Sequence, residues 1–451
     1  MKHIGKYQII GLLGRGGMGK VYKVLHPELG KIMALKLLDP NEMLEKLMGT
    51  QEVRRQFIHE ARIMGHLSHP NIASVWDLDQ DDQHRPFMVM EYFCLNLGTL
   101  MGETYRVEDA SRPLGPPKVF QYGQDILQGI SRLHHAGIIH RDIKPFNMMI
   151  TGQDQIKLID FGLSKLRGEK DTSPSNLKIG SPYYTAPEQE DDPQKADARS
   201  DIYSAGMVLY RMLSGRLLMK PGDKDLDVPF FNKEWDNFFE HCLHWDRKKR
   251  YTSAADMLDA LEHLQKIWKN NQETVCSLLP ASKTETIFAQ STFLRSQSMR
   301  TGPVKPETVF DVDILARPTT HVTNDFVQTS EGWLDKTTML EWCTHPSDFP
   351  MTWEEGQTYI EGFNKGKPKT HTVWRLPTIA ELLTLVQPKD NPEDLCTPKV
   401  FDPTQNWLWS ADTRTFTASW FLDLENGYVA SQDRTCLFYV LPVRTHGPRE
   451  K

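Results

Sequence analysis

The chain has 451 residues, 39% hydrophobic, 10% aromatic and 25% charged, with a formal net charge of -6. These are the values of a folded, water-facing protein with enough length for two cores, and the mildly acidic balance favours neither nucleic acid nor an anionic membrane surface as partner. No run approaches the roughly eighteen apolar residues that span a bilayer, and Ile9 to Leu13 is broken by glycines too soon to serve as a secretory signal core. The cysteines (Cys94, Cys242, Cys276, Cys343, Cys396 and Cys436) form no CxxC pair. They read as thiols in a reducing compartment rather than a disulfide or zinc framework. The expected location is cytoplasmic.

From Tyr7 the run Tyr-Gln-Ile-Ile-Gly-Leu-Leu predicts a strand, and Val21-Tyr22-Lys23-Val24 predicts another. Between them lies Gly14-Arg15-Gly16-Gly17-Met18-Gly19. A glycine turn between strands lets backbone N–H groups approach a triphosphate without side chains in the way. A dinucleotide fold would instead place a helix after the glycines. Met33-Ala34-Leu35-Lys36 follows as a third strand with a lysine among apolar neighbours. Burying that lysine unpaired is costly, so a carboxylate is required. Val53, Phe57, Met64 and Leu67 recur at helical spacing, and Glu60 falls on the same inward stripe. Lys36 and Glu60 are the expected pair. His69-Pro70-Asn71 ends that helix, and Phe87 to Met90 predicts a buried strand running into Glu91-Tyr92-Phe93. The connection Cys94 to Pro117 is long and carries Pro113, Gly115, Pro116 and Pro117.

An apolar segment, Ile126 to Ile139, leads into His140-Arg141-Asp142-Ile143-Lys144-Pro145-Phe146-Asn147, and a second acidic turn, Asp160-Phe161-Gly162, follows. An acid, cations and an amide in so short a loop suit a site that faces a phosphate, a metal and a hydroxyl together. The pattern resembles the catalytic loop and metal-binding turn of eukaryotic-type (Hanks-type) serine/threonine protein kinases of bacteria. The resemblance spans residues 7–268 and implies an α+β, two-lobed fold with a β-rich N-lobe and a helical C-lobe. It implies ATP and Mg²⁺ as cofactors, with Mn²⁺ as an alternative metal, and protein Ser/Thr hydroxyls as acceptors.

Residue by residue, the resemblance places Leu13, Val21 and Ala34 against adenine, with Gly14 to Gly19 (Arg15 and Met18 included) over the phosphates. Met90 would be the gatekeeper, and Glu91 and Phe93 would meet adenine through their backbone. Lys36 would hold the α- and β-phosphates, oriented by Glu60. Asp142 would take the proton of the substrate hydroxyl, and Lys144 would neutralise the γ-phosphate. Asn147 and Asp160 would ligate the metal, with Phe161 under the Glu60 helix. Ala186-Pro187-Glu188 matches the end of an activation segment, Arg250 its arginine partner, and Asp201 the aspartate that ties down the catalytic loop. Gly180-Ser181-Pro182-Tyr183-Tyr184-Thr185 departs from the usual phrase, though Ser181 keeps a hydroxyl for Asp142. Arg141 before the acid implies activation-loop phosphorylation, for which Thr172, Ser173 and Ser175 are candidates. The run Glu188 to Asp192 and the pair His134-His135 read as solvated surface. A catalytically silent scaffold would need a lost catalytic residue, and none is lost.

Residues 269–328, with scattered Ser, Thr and Pro and no periodicity, predict a flexible linker. A phrase recurs around Thr274, Thr286 and Thr308, each after a glutamate and before apolar residues, which suggests autophosphorylation sites or short docking strands. Beyond it the composition shifts: Trp333, Trp342, Trp353, Trp374, Trp407, Trp409 and Trp420 crowd into the last third. Capping boxes Thr352-x-x-Glu355 and Thr378-x-x-Glu381 predict two helices. Strand signals follow at Trp407 to Ser410, Thr415 to Leu424, Tyr428-Val429 and Cys436 to Val443, with an Asn426-Gly427 turn. Trp374-Arg375-Leu376-Pro377-Thr378, Trp407-Leu408-Trp409-Ser410 and Phe438 to Arg444 resemble a bacterial C-type-lectin-like family, the Lcl type. That implies a smaller α+β domain over 329–446 that binds an unknown ligand or recruits a partner. No Glu-Pro-Asn or Trp-Asn-Asp triplet supports calcium-dependent sugar binding, and the tryptophans read mainly as core. A surface adhesin built on this part would need an export or membrane segment that is not visible.

Overall fold

The computed structural model describes residues 2–103, 108–160, 165–166, 183–218, 233–276, 294–344, 346–365, 373–388, 396, 398, 400–401 and 405–445, with backbone only at 47, 165–166 and 271–276. It divides into two compact units, Met1–Leu278 and Leu279–Lys451.

The first unit opens with an antiparallel sheet of β1 (His3–Ile4), β2 (Tyr7–Arg15), β3 (Gly19–Leu25), β4 (Ile32–Leu38), β5 (Val75–Gln80) and β6 (Pro86–Met90), in the order β1-β2-β3-β4-β6-β5. Helices α1 (Glu42–Met48) and α2 (Thr50–His66) sit between β4 and β5 in sequence. Side chains alternate across a strand, so register sorts the sheet into two faces. Val24, Leu35, Leu37, Phe87 and Val89 build the core of one face with Ile4, Tyr7 and Met33. The pairings Val21↔Lys36, Lys36↔Met88, Lys23↔Ala34 and Ala34↔Met90 put those six residues together on the other. On α2, Val53, Phe57, Glu60, Ala61 and Met64 are buried, the stripe expected from the spacing.

Next come β7 (Leu95–Asn96), α3 (Leu97–Met101) and α4 (Pro116–His135). Pro116 and Pro117 of the long connection open the first turn of α4, where a missing N–H costs nothing. Arg112 donates to Leu100 O and Thr99 O, capping the end of α3. Short strands β8 (Ile138–Ile139), β9 (Met148–Ile150), β10 (Ile156–Leu158) and β11 (Lys165–Leu166) frame the loop that follows α4, pairing as β10-β9-β7 and β11-β8. The unit ends in α5 (Pro187–Asp191), α6 (Ala198–Ser214), α7 (Lys233–Cys242) and α8 (Ala254–Cys276). α6 is amply buried and starts with a reciprocal cap between Asp197 and Ser200.

The second unit holds a sheet of β12 (Phe326–Gln328), β13 (Gly332–Asp335), β14 (Leu340–Cys343) and β18 (Val443–Thr445), and a second of β15 (Trp407–Thr413), β16 (Ala418–Asp423) and β17 (Tyr428–Asp433). Both capping boxes form, at the starts of α9 (Trp353–Phe363) and α10 (Ile379–Leu383). Trp342, Trp374, Trp409 and Trp420 are buried, as a core role requires. Residues 436–442 are not a strand. They make only isolated bridges, Met351↔Phe438 and Leu408↔Tyr439.

The expected linker is corrected at both ends. α8 runs on to Cys276, and residues 294–328 belong to the second unit's core. Phe310 and Val312 are buried there, the Phe310 ring meets Trp420 edge-on at 5.1 Å, and Trp420 Nε1 donates to Thr301. Arg295 makes a two-pronged pair with Asp412 at 2.7 and 2.8 Å. The stretch lacks periodicity because it packs as irregular chain fixed by side chains. Thr308 lies here, exposed, with its hydroxyl donating to Lys305 O. Thr286 and the side chain of Thr274 lie outside the described residues.

Candidate active site

Lys36 projects from β4 on the sheet face away from the apolar cluster, and its Nζ donates to Glu60 Oε1 at 2.9 Å and Asp160 Oδ1 at 3.0 Å. Burial pulls the Lys36 pKa down, but the charges of Asp160 and Glu60 outweigh it and the net shift is upward. The ammonium therefore stays charged at physiological pH. Glu60 is 4% exposed and Asp160 46% exposed at the side chain. One carboxylate is structural in its burial, and the other faces open space.

Asp142 Oδ2 accepts from Lys144 Nζ at 2.7 Å and from Asn147 Nδ2 at 2.9 Å; Nδ2 also donates to the Asp142 carbonyl at 2.8 Å. Those donations leave Asn147 Oδ1 as the amide's available acceptor. Ile159 N donates to Asn147 O at 3.0 Å, which places Asp160 next to this loop. Two bonded groups result, Lys36 with Glu60 and Asp160, and Asp142 with Lys144 and Asn147, and the Ile159–Asn147 backbone bond ties the segments that carry them.

The backbone of the loop is held from beneath. Buried Asp201 on α6 accepts from His140 N at 2.9 Å and Arg141 N at 2.8 Å, and from His134 Nε2 at 2.8 Å. Burial pushes the Asp201 pKa up, yet the bonds and charge of His134 and His140 hold it below the ordinary carboxylate value. His134 is therefore no surface residue; its ring is drawn inward by that carboxylate. Arg141 and Asp160 both have left-handed backbones, φ 68° and 64°. Such conformations disfavour non-glycine residues and persist where surrounding bonds enforce them. For Arg141 those bonds include Gln189 Nε2 to its carbonyl at 2.8 Å.

Arg250 clasps Glu188 with two bonds of 2.8 Å, and Ser200 Oγ adds a third at 2.7 Å. Of the acidic run expected at the surface, Glu188 and Gln189 turn inward, and Glu190 and Asp191 are exposed. Phe161, Gly162, Thr172, Ser173, Ser175 and Ser181 lie outside the described residues.

The glycine turn closes on itself through Gly16 N to Gly19 O at 2.8 Å. A Cβ on Gly19 would lie 2.0 Å from Leu37 O, so no other residue fits; Gly14 and Gly16 have open space on that side. Gly17 O and Met18 O accept from Asn41 N and Asp39 N, both at 3.1 Å. Arg15 and Leu13 are exposed, Leu13 by 46%. Val21, Ala34 and Met90 share the Lys36 face, and Phe93 is half-buried just beyond. Glu91 turns its carboxylate to Lys157, at 2.8 and 3.0 Å, so the expected adenine contact would fall to its backbone. Lys23, which the motif reading passed over, lies on the same face with its ammonium 4.9 Å from the Tyr92 ring centre. Strand alternation from Val21 and Lys36 was the signal that could have found it.

A triphosphate with a hard cation fits these residues. The glycine cradle has room at Gly14 and Gly16, a charged lysine lies beside it, and a carboxylate and an amide oxygen stand close together. Among the described residues no three or more His, Cys, Asp or Glu gather as a metal cluster. A cation here would rely on phosphate and water oxygens for its remaining ligands, the habit of Mg²⁺.

Residues 7–266 match the family model described as protein kinase domain. The chain belongs to the protein kinase family. The kinase domain is similar to serine/threonine-protein kinase pkn3 of Myxococcus xanthus, 33% identical over 236 residues, covering 51% of this chain and 40% of the relative. It is similar to PksC of Streptomyces coelicolor, 35% identical over 227 residues (49% and 39%), and to PrkC of Bacillus subtilis, 34% over 214 residues (47% and 31%). The chain thus spans about two-fifths or less of the length of these curated relatives. Residues 332–444 match a second family model, the Lcl C-terminal domain. No helix among the described residues is long and apolar enough to cross a membrane.

Proposed function

We propose that the chain is an active serine/threonine kinase that moves the γ-phosphate of ATP to Ser or Thr hydroxyls of proteins. The observation that carries this is the lysine ammonium bonded to both Glu60 and Asp160, with the Asp142–Asn147 pair tied to the Asp160 segment through the Ile159–Asn147 backbone bond. Phosphoryl transfer needs positioning and charge stabilisation more than covalent help. Bound Mg²⁺ would supply charge neutralisation on the phosphates, held by Asp160 and Asn147 Oδ1. Lys36 orients the α- and β-phosphates, and Glu60 keeps its ammonium in place. Lys144 stands by the γ-phosphate. Asp142 accepts the hydroxyl proton as the new O–P bond forms and the bond to the ADP oxygen breaks. Leu13, Val21, Ala34 and Met90 enclose adenine, and the glycine turn covers the phosphates.

The acceptors are protein side chains, with this chain's activation segment and Thr286 or Thr308 among them. The Lcl-type unit, read as a C-type-lectin-like fold, is a binding module for a ligand or partner. Incubating wild type and Asp142→Asn with labelled ATP, Mg²⁺ and a generic protein acceptor tests the proposal. Label on acceptor with wild type alone is expected; no label with either leaves a binding scaffold.

A further inference from the structure

The face of α2 next to the one that carries Glu60 is basic. His59, Arg62, Ile63 and His66 fall at the spacing of one helical face, and with Arg132 of α4 and Ile138 of β8 they line an open cleft of about 360 Å³. No carboxylate lines it. Neither Arg62 nor Arg132 forms a side-chain hydrogen bond or ion pair among the described residues. Burial and then the charge of Arg132 lower the pKa of nearby His69, which places that guanidinium's field at this end of α2. Two uncompensated guanidiniums above an apolar floor are a repulsive arrangement that an anion relieves.

We propose that this cleft binds a phosphorylated serine or threonine, followed by an apolar residue, on a separate protein. A phosphate monoester brings about -1.5 to -2 charges and three acceptor oxygens, which two guanidinium forks match better than one carboxylate does. The flanking apolar side chain covers Ile63 and Ala136. Occupancy braces α2 against α4 and β8, which favours the Lys36–Glu60 pair on the adjoining face of α2. β8 also pairs with β11 through Ile138↔Leu166, so the strand following the metal-binding turn is braced with it.

The test uses the full chain and the labelled peptide acetyl-Glu-phosphoThr-Ile-Phe-amide, with binding read by fluorescence anisotropy on an Asp142→Asn background. That background separates failure of this idea from failure of the kinase assignment, because no turnover is needed. Binding should weaken about tenfold or more with the unphosphorylated peptide, with glutamate in place of phosphothreonine, and in the Arg62→Gln/Arg132→Gln variant at unchanged melting temperature. Equal binding of either control peptide overturns phosphate recognition, and undiminished binding by the variant overturns the site. In the chain with Asp142 intact, the peptide should raise turnover about twofold, and the double variant should not respond. Binding without that rise overturns the coupling to Glu60.

Discussion

In the C-terminal unit Asp412 is fully buried, and its carboxylate takes both prongs of Arg295 and the backbone N–H groups of Met299 and Ile379. Glu381 is likewise closed by Arg375 and the Thr378 cap, and Glu341 by Arg444 and Thr329. Asp160 in the N-terminal unit is the opposite case. It is 46% exposed, bonded to one shared ammonium, and held in a left-handed backbone. The contrast separates structural charge from chemical charge. A buried carboxylate with its lone pairs filled organises a fold, whereas one that reaches solvent beside a cation is accessible to a ligand.

Asp160→Asn should therefore lower phosphotransfer by about three orders of magnitude, roughly 4 kcal/mol of activation free energy, because the replacement keeps the shape and loses the proposed metal ligand. Chemical denaturation should show the N-terminal unit no less stable. Next in size, Asp412→Ala should cost the C-terminal unit about 3 kcal/mol, since Arg295 loses its partner and two N–H groups their acceptor. Tryptophan fluorescence in urea reads that loss, and ATP turnover should stay at the wild-type rate. Reversed outcomes for the two variants would erase the distinction. Glu60→Gln is intermediate: turnover should fall about tenfold, close to 1.4 kcal/mol, as a charge-assisted bond to Lys36 becomes a neutral one.

The same contrast explains what the sequence made legible. Lys36, Glu60, Asp142, Asn147 and Asp160 could be found because a charge in an apolar strand or stripe must have a partner, and short motifs fix the spacing. The two-lobed fold was implied by the resemblance those motifs carry, while strand and helix periodicity located individual elements such as β4 and α2. The packing of residues 294–328 was hidden because irregular chain has no period; its anchors, Arg295 and Phe310, meet residues more than a hundred positions away. His134 was misread for the same reason, as its partner Asp201 lies 67 residues on. Lys23 was visible in principle, by alternation, but belonged to no motif.

Smaller effects sharpen the comparison within the N-terminal unit, through two carboxylates shifted in opposite directions. Burial pushes Glu188 up, but Arg250 and Ser200 hold its pKa below the ordinary value of 4.5. Its stabilising contribution is complete above pH 4.5 and is lost as pH falls through the lower folded value. Glu188→Gln should thus be less stable by about 1 kcal/mol at pH 7, with the gap closing as pH falls below the ordinary Glu value. Glu103 is buried against Tyr184, and burial raises its pKa despite the opposing influence of Arg211, Tyr184 and Lys144. Its charged form costs stability above the unfolded value, and that cost disappears below it. Glu103→Gln, whose amide oxygen can still accept from Tyr184, should therefore gain about half a kcal/mol at pH 7 and nothing under acid conditions. Urea midpoints of both variants across pH 4 to 8 check the pair. Parallel slopes for the two would mean that the bonds at Glu188 do not outweigh its burial.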